Sequence, residues 1–527
     1  MEGYNLYFGC AHTQFHTKKH TQFSRGYPDG ADSWEEFIER AFQYGSDYLD
    51  FFPIIYYPAY TYYPTGDFMV ESEGMKDEFP QEWEIIKRLS KKYNQPGTFV
   101  TYPGYEWTGN RRRWGDHNVI FCDESYAELD LSMDVKDLFA NLREKKAWAI
   151  PHHTAYRVGN RGKDWDIHDE KISPVAEIFS VHGSSEGIDT PYDLRPNASM
   201  SPRVSGGPIQ DGLNRGLKFG IIASGDNASG FPGRWGNGLA AVWAKNLDRE
   251  GVWEAVSSRR TYGITGDRIL LDFFADDFPM GTEFSANGTV SIAGRVIGSD
   301  SLDRIELIRN GRVLDTLCHR GKWDFPDEGT IEIKLRVEFG WGPTPKKGIV
   351  FPKKSWDGFL EVMDGEVADV EKCFTRGGQK VASDTKRVNW NLTTGMNNNP
   401  YPNQDSQQAL VFTLRGKPDS RVRIMSESVE YNATVKELCK GAYVIPHPEE
   451  ARREVERKYG LTQYENKNQK EYANSYKTLM HKGVPEPGYT LTYQFQDNPP
   501  AGENYYYVRV SQNNGQMAWS SPVWIKA

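Results

Sequence analysis

The chain is 527 residues long, enough at roughly 150 residues per domain for three to four domains or two large ones. Its 63 basic and 72 acidic residues leave a net charge of −9, which excludes a uniformly basic face for a nucleic-acid backbone. Mean hydropathy is −0.67, yet 26 Phe, 29 Tyr and 15 Trp supply a core, exclude disorder, and leave no apolar run of about 18 residues to cross a membrane.

Short apolar runs alternate with helical periods up to about residue 266. Asn5 to Phe8 reads as a strand, and Ser33 to Glu36 as a capping box with Ser33 as N-cap. The helix that follows carries Trp34, Phe37, Ile38 and Ala41 at the 3.6 period, and Gly45 is expected to close it. Tyr48 to Ile55 reads as the second strand, Trp83, Ile86 and Leu89 as a helix, and Thr98 to Tyr102 as the third strand. Further strands are expected at 118–121, 147–150, 175–181, 219–224 and 238–244, with helices through Val135–Leu142 and Asp248–Ser258. This alternation predicts a mostly parallel α/β sheet, open or closed into a barrel.

After Gly266 the texture changes to alternating runs at 289–297, 304–309, 330–338, 409–414, 489–495 and 505–510. Asn310-Gly311 and Asn514-Gly515 are hairpin signals. The expected organisation is an α/β domain over 1–266 and an antiparallel β-sandwich over 267–527, interrupted by a charged helical insertion at about 435–482. No Pro/Gly/Ser linker is visible near Gly266, so the halves are expected to touch.

Five scattered cysteines without a CxxC pair argue against a disulfide framework or a zinc knuckle. The opening MEGYNLYFGC shows no basic stretch followed by an apolar one, so a cytoplasmic protein is expected, or a periplasmic one if a leader has been removed.

Histidine is the asymmetric residue. His12, His16, His20, His117, His152, His153, His168 and His182 all fall in residues 1–182. Polar residues also gather at strand ends: His12 after the first strand, Glu106 after Thr98–Tyr102, His152 after Ala147–Ile150, His182 after Val175–Val181, Asp226 after Phe219–Ser224. In α/β barrels that rim carries the active site. Imidazole and carboxylate together suit zinc, manganese or iron. The competing readings are hydrogen-bonding loop histidines and, for Glu106, an ion pair with one of Arg111, Arg112 or Arg113. His152 and His153 are adjacent on extended backbone, so one of them is expected to face the site.

The segments YFGCAHTQ, PGYEWTG, HNVIF, AIPHH, HGSSE, SGDNASGFPG, RRTYGITGDRILLDF and YYYVRVSQNNGQMAWSSPVW occur in an order that resembles the polymerase and histidinol phosphatase (PHP) superfamily, in the bacterial branch where such a domain precedes a β-sandwich. The resemblance implies a distorted (β/α)7 barrel with up to three divalent metals. It assigns His12, Gln14, Glu106 and Asp226 to one metal and Glu106, His117 and His152 to a second, and leaves a third site with His20 alone. Gln14 stands where the pattern has histidine, Phe51 to Ile54 replace its Asp-His, and Ala228 its last histidine, so one or two ions are expected. Gln14, a neutral oxygen donor, tilts the first site toward a harder ion such as calcium or magnesium.

The chemistry so implied is metal-dependent hydrolysis of a phosphate or related ester of a small molecule or sugar. His182 or His153 would serve as the proton donor, alongside Asp226. Trp107, Arg111, Arg113 and Tyr57 are candidate substrate contacts, since guanidinium forks bind phosphate, sulfate or carboxylate. The alternatives are a degenerate barrel that binds a carbohydrate or anionic ligand without turnover, or a metal-assisted lyase. No nucleic-acid or membrane partner is expected, and oligomeric state is not encoded in any readable pattern. The expectation requires Glu106, His117 and His152 to reach a common atom.

Overall fold

The computed structural model describes residues 1–24, 30–58, 78–195, 200–319, 325–341, 353–395, 407–447, 449–450, 453, 456–457, 460 and 476–527. They form two compact units, one of 1–297, 303–318 and 492–527, the other of 298–302 and 319–491.

The first unit opens with β1 (Asn5–Gly9), β2 (Gln14–His16), α1 (Lys18–Ser24), α2 (Trp34–Ser46), β3 (Phe51–Tyr57), α3 (Phe79–Tyr93), β4 (Val100–Trp107) and α4 (Arg111–Trp114). Then come β5 (His117–Phe121), α5 (Val135–Leu142), β6 (Ala147–Pro151), β7 (Val175–Ser180), β8 (Gly183–Ser184) and α6 (Ile209–Asn214). β9 (Gly220–Ala223), β10 (Leu239–Ala244), α7 (Arg249–Ser257) and β11 (Thr261–Ile264) complete the series.

The Ser33 cap forms as expected: its hydroxyl accepts from the Glu36 N–H at 3.1 Å, while the Glu36 carboxylate accepts from Asp32 N–H at 2.8 Å. α2 buries Trp34, Phe37, Ile38, Ala41 and Phe42, and runs one residue past Gly45. Strand ends shift more. β4 extends to Trp107, so Glu106 lies inside the strand and not in a loop after it, because the ladder with β5 continues through Glu106↔Asn118 and Trp107↔His117.

The sheet runs β11–β10–β1–β3–β4–β5–β6. β3 is parallel to β1, β2 and β4, but β5, β6, β10 and β11 run antiparallel to their neighbours, so the sheet is mixed and not mostly parallel. The link from β4 to β5 explains part of this. It holds only the short α4, too little chain for the crossover that a parallel pair needs.

The expected barrel is not closed. β7, β8 and β9 form their own three-stranded sheet, with β7 parallel to β9. On the β6 side, Ala149 N–H donates to Ile172 C=O and Ser173 Oγ donates to Ala149 C=O, so the segment before β7 occupies that edge. On the β11 side, Ile221 N–H donates to Ser521 Oγ at 2.7 Å and Thr261 Oγ1 donates to Ile221 C=O at 2.8 Å. Hydroxyls thus satisfy edge groups that a strand ladder would otherwise pair. Tyr102, Ile120, Trp148, Ile150, Ile222 and Val242 pack together inside this enclosure.

Met517–Ser520 pairs antiparallel with β11, and Glu503–Gln512 pairs with Met517–Ser520, so the C-terminal strands belong to this same sheet. Asn310 and Gly311 both adopt positive φ between Leu302–Arg309 and Arg312–Cys318, the turn that the dipeptide predicts.

The second unit contains two antiparallel sheets. One is built on Ile331–Gly340 paired with Gln407–Gly416, the other on Lys354–Val362 between Arg387–Thr394 and Arg421–Ser426. Phe339 and Trp390 bring the two into ring contact at 5.3 Å. Of the expected helical insertion, Val435–Leu438 is a one-turn helix, whereas Tyr443–Pro446 and Lys477–Met480 pair as strands. Residues 448, 451–452, 454–455, 458–459 and 461–475 of it lie outside the described residues. Among the described residues no helix is long and apolar enough to cross a membrane.

Candidate metal centre

Two segments more than two hundred residues apart are stitched together at the end of the enclosure. Asp226 N–H donates to His12 C=O and Gln14 N–H donates to Asn227 C=O, both at 2.8 Å. Gly225 permits the approach, because a Cβ there would meet the His12 carbonyl at 3.1 Å and Cys10 Sγ at 3.2 Å. His12 and Asp226 are therefore fixed by backbone before their side chains are considered.

Register brings the next residues in. Opposed residues of an antiparallel pair share a face. Glu106, Asn118 and Ile150 form such a row, on the face that carries the packed core. His152 follows Pro151 at the end of that row.

The side chains then converge. His12 Nε2 lies 3.4 Å from Glu106 Oε2 and 3.5 Å from Asp226 Oδ1. His12 Nδ1 faces Glu177 Oε2 at 3.6 Å, and the Ser224 hydroxyl donates to that same oxygen. Asp226 Oδ2 meets His152 Nδ1 at 3.5 Å and His182 Nε2 at 3.3 Å. His12, His152, Glu106, Glu177 and Asp226 are all buried. Neither ring nitrogen of His12 or His152 makes an aligned hydrogen bond, nor does Asp226 Oδ2. Buried polar atoms without partners are costly. Asp226 and His153 also hold positive φ, at 45° and 36°, a backbone strain that gathers at functional sites.

Electrostatics follow the same geometry. Burial alone would lower the His12 pKa, but Asp226, Glu106 and Glu177 outweigh it and hold it well above the ordinary histidine value. Burial would raise Asp226, yet the surrounding His12, His182 and His152 rings hold it well below the usual carboxylate range. The Tyr156 hydroxyl lies 3.0 Å from Arg195 C=O and 2.9 Å from His182 Nδ1, while His182 Nε2 faces Asp226 Oδ2.

The remaining sequence candidates fall into three groups. Gln14 is brought in, but by its amide nitrogen: Nε2 donates to Glu106 Oε2 at 2.7 Å and to Asp226 Oδ1 at 3.1 Å. His153 turns the other way, with Nε2 on Asp116 Oδ2 at 3.1 Å, and burial first, then the charge of His152, lowers its pKa well below the ordinary value.

The second group is buried and paired internally. Arg111 donates to Asp116 from Nε and Nη2 at 2.5 and 2.7 Å, to Glu106 Oε1 from Nη2 at 3.0 Å, and to the Tyr57 hydroxyl from Nη1 at 2.7 Å. Trp107 Nε1 donates to Ser132 C=O at 2.8 Å.

The third group lies away from the cluster. Arg113 is exposed, with its guanidinium 4.2 Å from the Trp114 ring centroid. His20 sits in α1 and stacks on His16 at 4.4 Å, and His16 in turn meets Tyr57 edge-on. Tyr60, Tyr62 and Tyr63, which follow Tyr57 in the sequence, lie outside the described residues.

His117 does not reach a common atom with Glu106 and His152. It is opposite Trp107, on the other face of the sheet, with ring contacts to Trp107 and to Phe139 of α5. Its Nε2 lies 3.2 Å from Lys163 Nζ, and burial followed by the Lys163 charge holds its pKa well below the ordinary value. Lys163, Glu177, Asp116, Arg161 and Tyr156 are the residues that sequence reasoning missed. Glu177 carried a signal, a lone carboxylate inside the apolar strand VAEIFS.

Among the described residues, three groups of ligand atoms lie close enough to share a cation: His12, His152, Glu177 and Asp226; Asp116, His152 and His153; and His153, His182 and Asp226. Donors about 2.1 Å from a tetrahedral ion stand about 3.4 Å apart; His12 Nε2 meets that spacing toward Asp226 Oδ1 at 3.5 Å, within the first group, and toward Glu106 Oε2 at 3.4 Å, outside it. Glu177 Oε2 faces the opposite nitrogen of His12 at 3.6 Å, a position from which a carboxylate can orient an imidazole.

Residues 58–189 and 216–295 match a family described as a protein of unknown function (DUF3604). An uncharacterized protein of Chlamydia pneumoniae is 27% identical over 301 residues, 52% of this chain and 45% of the relative. One from Chlamydia muridarum (strain MoPn / Nigg) is 25% identical over 298 residues, with the same shares. The match thus spans about half the length of these curated relatives. Among solved structures, a two-domain protein from Bacteroides vulgatus, described as containing a predicted PHP-like metal-dependent phosphoesterase, is similar at 12% identity and a TM-score of 0.31, covering 82% of this chain and 96% of its own.

Proposed function

We propose that this chain is a metal-dependent hydrolase acting on a phosphate or related ester of a small molecule or sugar, with an unclosed PHP-like α/β unit carrying the site and a β-sandwich unit beside it in the chain. The carrying observation is the buried His12 ring, with no aligned hydrogen bond on either nitrogen, whose Nε2 lies 3.4 Å from Glu106 Oε2 and 3.5 Å from Asp226 Oδ1, beside the close group His12, His152, Glu177 and Asp226. His12, Glu106 and Asp226 would hold the ion, with Gln14 beside them. The donor set of one imidazole and two carboxylates suits zinc, manganese or iron, and its oxygens also admit calcium or magnesium. A divalent ion so held acidifies water and polarises an ester oxygen.

The protein's own residues supply the rest. Glu177, itself held by Ser224, faces His12 Nδ1 and would orient the ring. Tyr156 anchors the His182 ring through Nδ1, which leaves Nε2 as the atom that would carry a proton to a leaving oxygen. His153, locked on Asp116, positions the wall behind His182, with ring centroids 5.0 Å apart.

Elemental analysis with a panel of phosphate and sulfate esters tests this. Bound divalent metal together with ester hydrolysis, both lost in Glu106→Ala, is the expected result. A protein that takes up no metal and hydrolyses no ester under any divalent supplement would overturn it. A second reading, binding without turnover, is favoured by the internal pairing of Arg111, Tyr57 and Trp107, and would show saturable ligand binding with no product.

A further inference from the structure

Glu106 is a carboxylate with two differently used oxygens. Oε2 faces His12 Nε2 and the Gln14 amide. Oε1 faces Arg111 Nη2 at 3.0 Å and, farther off, His152 Nε2 at 3.8 Å. A carboxylate that bridges two cations gives one oxygen to each, so any second cation shared through Glu106 belongs on the Oε1 side. That side already holds a positive charge.

We infer that the Arg111 guanidinium takes the place of a second cation on Glu106, so that the centre holds a single divalent ion. This rests on the hydrolase reading of the site. The guanidinium is fixed by more than one partner. Its fork grips Asp116 through two nitrogens and its third nitrogen donates to Tyr57, leaving all but one of its N–H groups engaged. Asp116 is itself held by Arg161 and His153, so the anchor cannot follow a departing arginine. Arg111 is buried, and a guanidinium stays charged at every accessible pH.

The donors for a second ion are not independent of the first: His117 lies on the opposite face beside Lys163, and the other two close groups both need His153, whose Nε2 meets Asp116, and share His152 or Asp226 with the first group. Arg111 is on this account a positioning residue, which aims Glu106 Oε2 at the ion and touches neither ion nor substrate.

The test is a count of bound Mn²⁺ on the full chain, stripped of metal and then titrated, with the electron paramagnetic resonance spectrum recorded at saturation. One equivalent, with the hyperfine pattern of an isolated ion, is expected. Two equivalents, or an exchange-coupled spectrum, would overturn the role of Arg111 while leaving the hydrolase reading standing; no bound Mn²⁺, Zn²⁺ or Fe²⁺ would overturn both. Arg111→Met vacates Glu106 Oε1 and the Asp116 fork, and is expected to take a second equivalent. A variant that keeps the native circular dichroism spectrum yet still binds one equivalent at millimolar Mn²⁺ would overturn the assignment, and if it does not fold, the wild-type count alone decides.

Discussion

His12 and His117 are both fully buried imidazoles near β4, and their surroundings pull them in opposite directions. His12 sits among Asp226, Glu106 and Glu177, which hold its pKa well above the ordinary value against the penalty of burial. His117 sits against Trp107, Phe139 and the Lys163 ammonium, where burial and like charge hold its pKa well below it. One face of the sheet gathers anions around an imidazole, which invites a cation, whether a proton on His12 or a metal ion in its place. The other gathers nitrogen around nitrogen, which repels one. Burial and residue type are equal on the two faces, so the sign of the neighbouring charge decides which imidazole can serve a metal.

Three substitutions would break or sharpen that contrast. Asp226→Ala removes the carboxylate that faces His12, His152 and His182. Metal affinity should fall by at least the ~10–100-fold that changes in outer-shell partners cost, read by titration with a fluorescent metal competitor. Retained affinity would mean that the anionic face does not define the site.

Lys163→Met probes the opposite face. Burial moves the Lys163 pKa from 10.5 in the unfolded chain down to about 7 in the fold. Between those values the unfolded chain binds the extra proton, so wild-type stability rises with pH from about 7 toward 10.5, by about 1 kcal/mol per pH unit. Below about pH 7 both states are protonated and the fold carries the full cost. The methionine variant should lose that slope and be the more stable protein at neutral pH, as measured by urea denaturation at several pH values.

His117→Leu is the smallest expected change. It deprives Lys163 of one partner and should cost about 1–3 kcal/mol of stability, with the metal count unchanged. Loss of metal in a folded His117→Leu protein would restore that imidazole to the ligand set and erase the difference between the faces.

How legible the centre was in the chain follows from the same residues. His12, Glu106, His152 and Asp226 could be found because each stands at or near the end of an apolar run, and strand ends crowd together at one rim. His117 could not be excluded, because a shift of one residue in register turns a strand side chain to the opposite face, and the pairing of Glu106 with Asn118 is not written in either segment. The short α4 made β5 antiparallel, against the parallel expectation, for want of chain to cross over. Arg111 was visible as a charge but not as an anchored one, since its partners Asp116 and Tyr57 come together only in three dimensions. Lys163 lies in a loop, RGKDWD, whose composition suggests a solvated cation, and its burial depends on Phe139 of α5 together with Trp165 of the loop itself.

The final strands, 492–527, complete the same unit that begins at residue 1, while 319–491 form the other. On a ribosome the inserted unit emerges whole before the last partners of β11 are made. Domains generally fold as they emerge, so the inserted unit can finish first, while the half that carries the histidines waits with Thr261–Ile264 lacking its neighbour. Synthesis order thus sets a delay between translating the ligands and assembling the sheet that steadies them, and a nascent chain halted near residue 490 would carry every proposed donor without the last strands of that sheet.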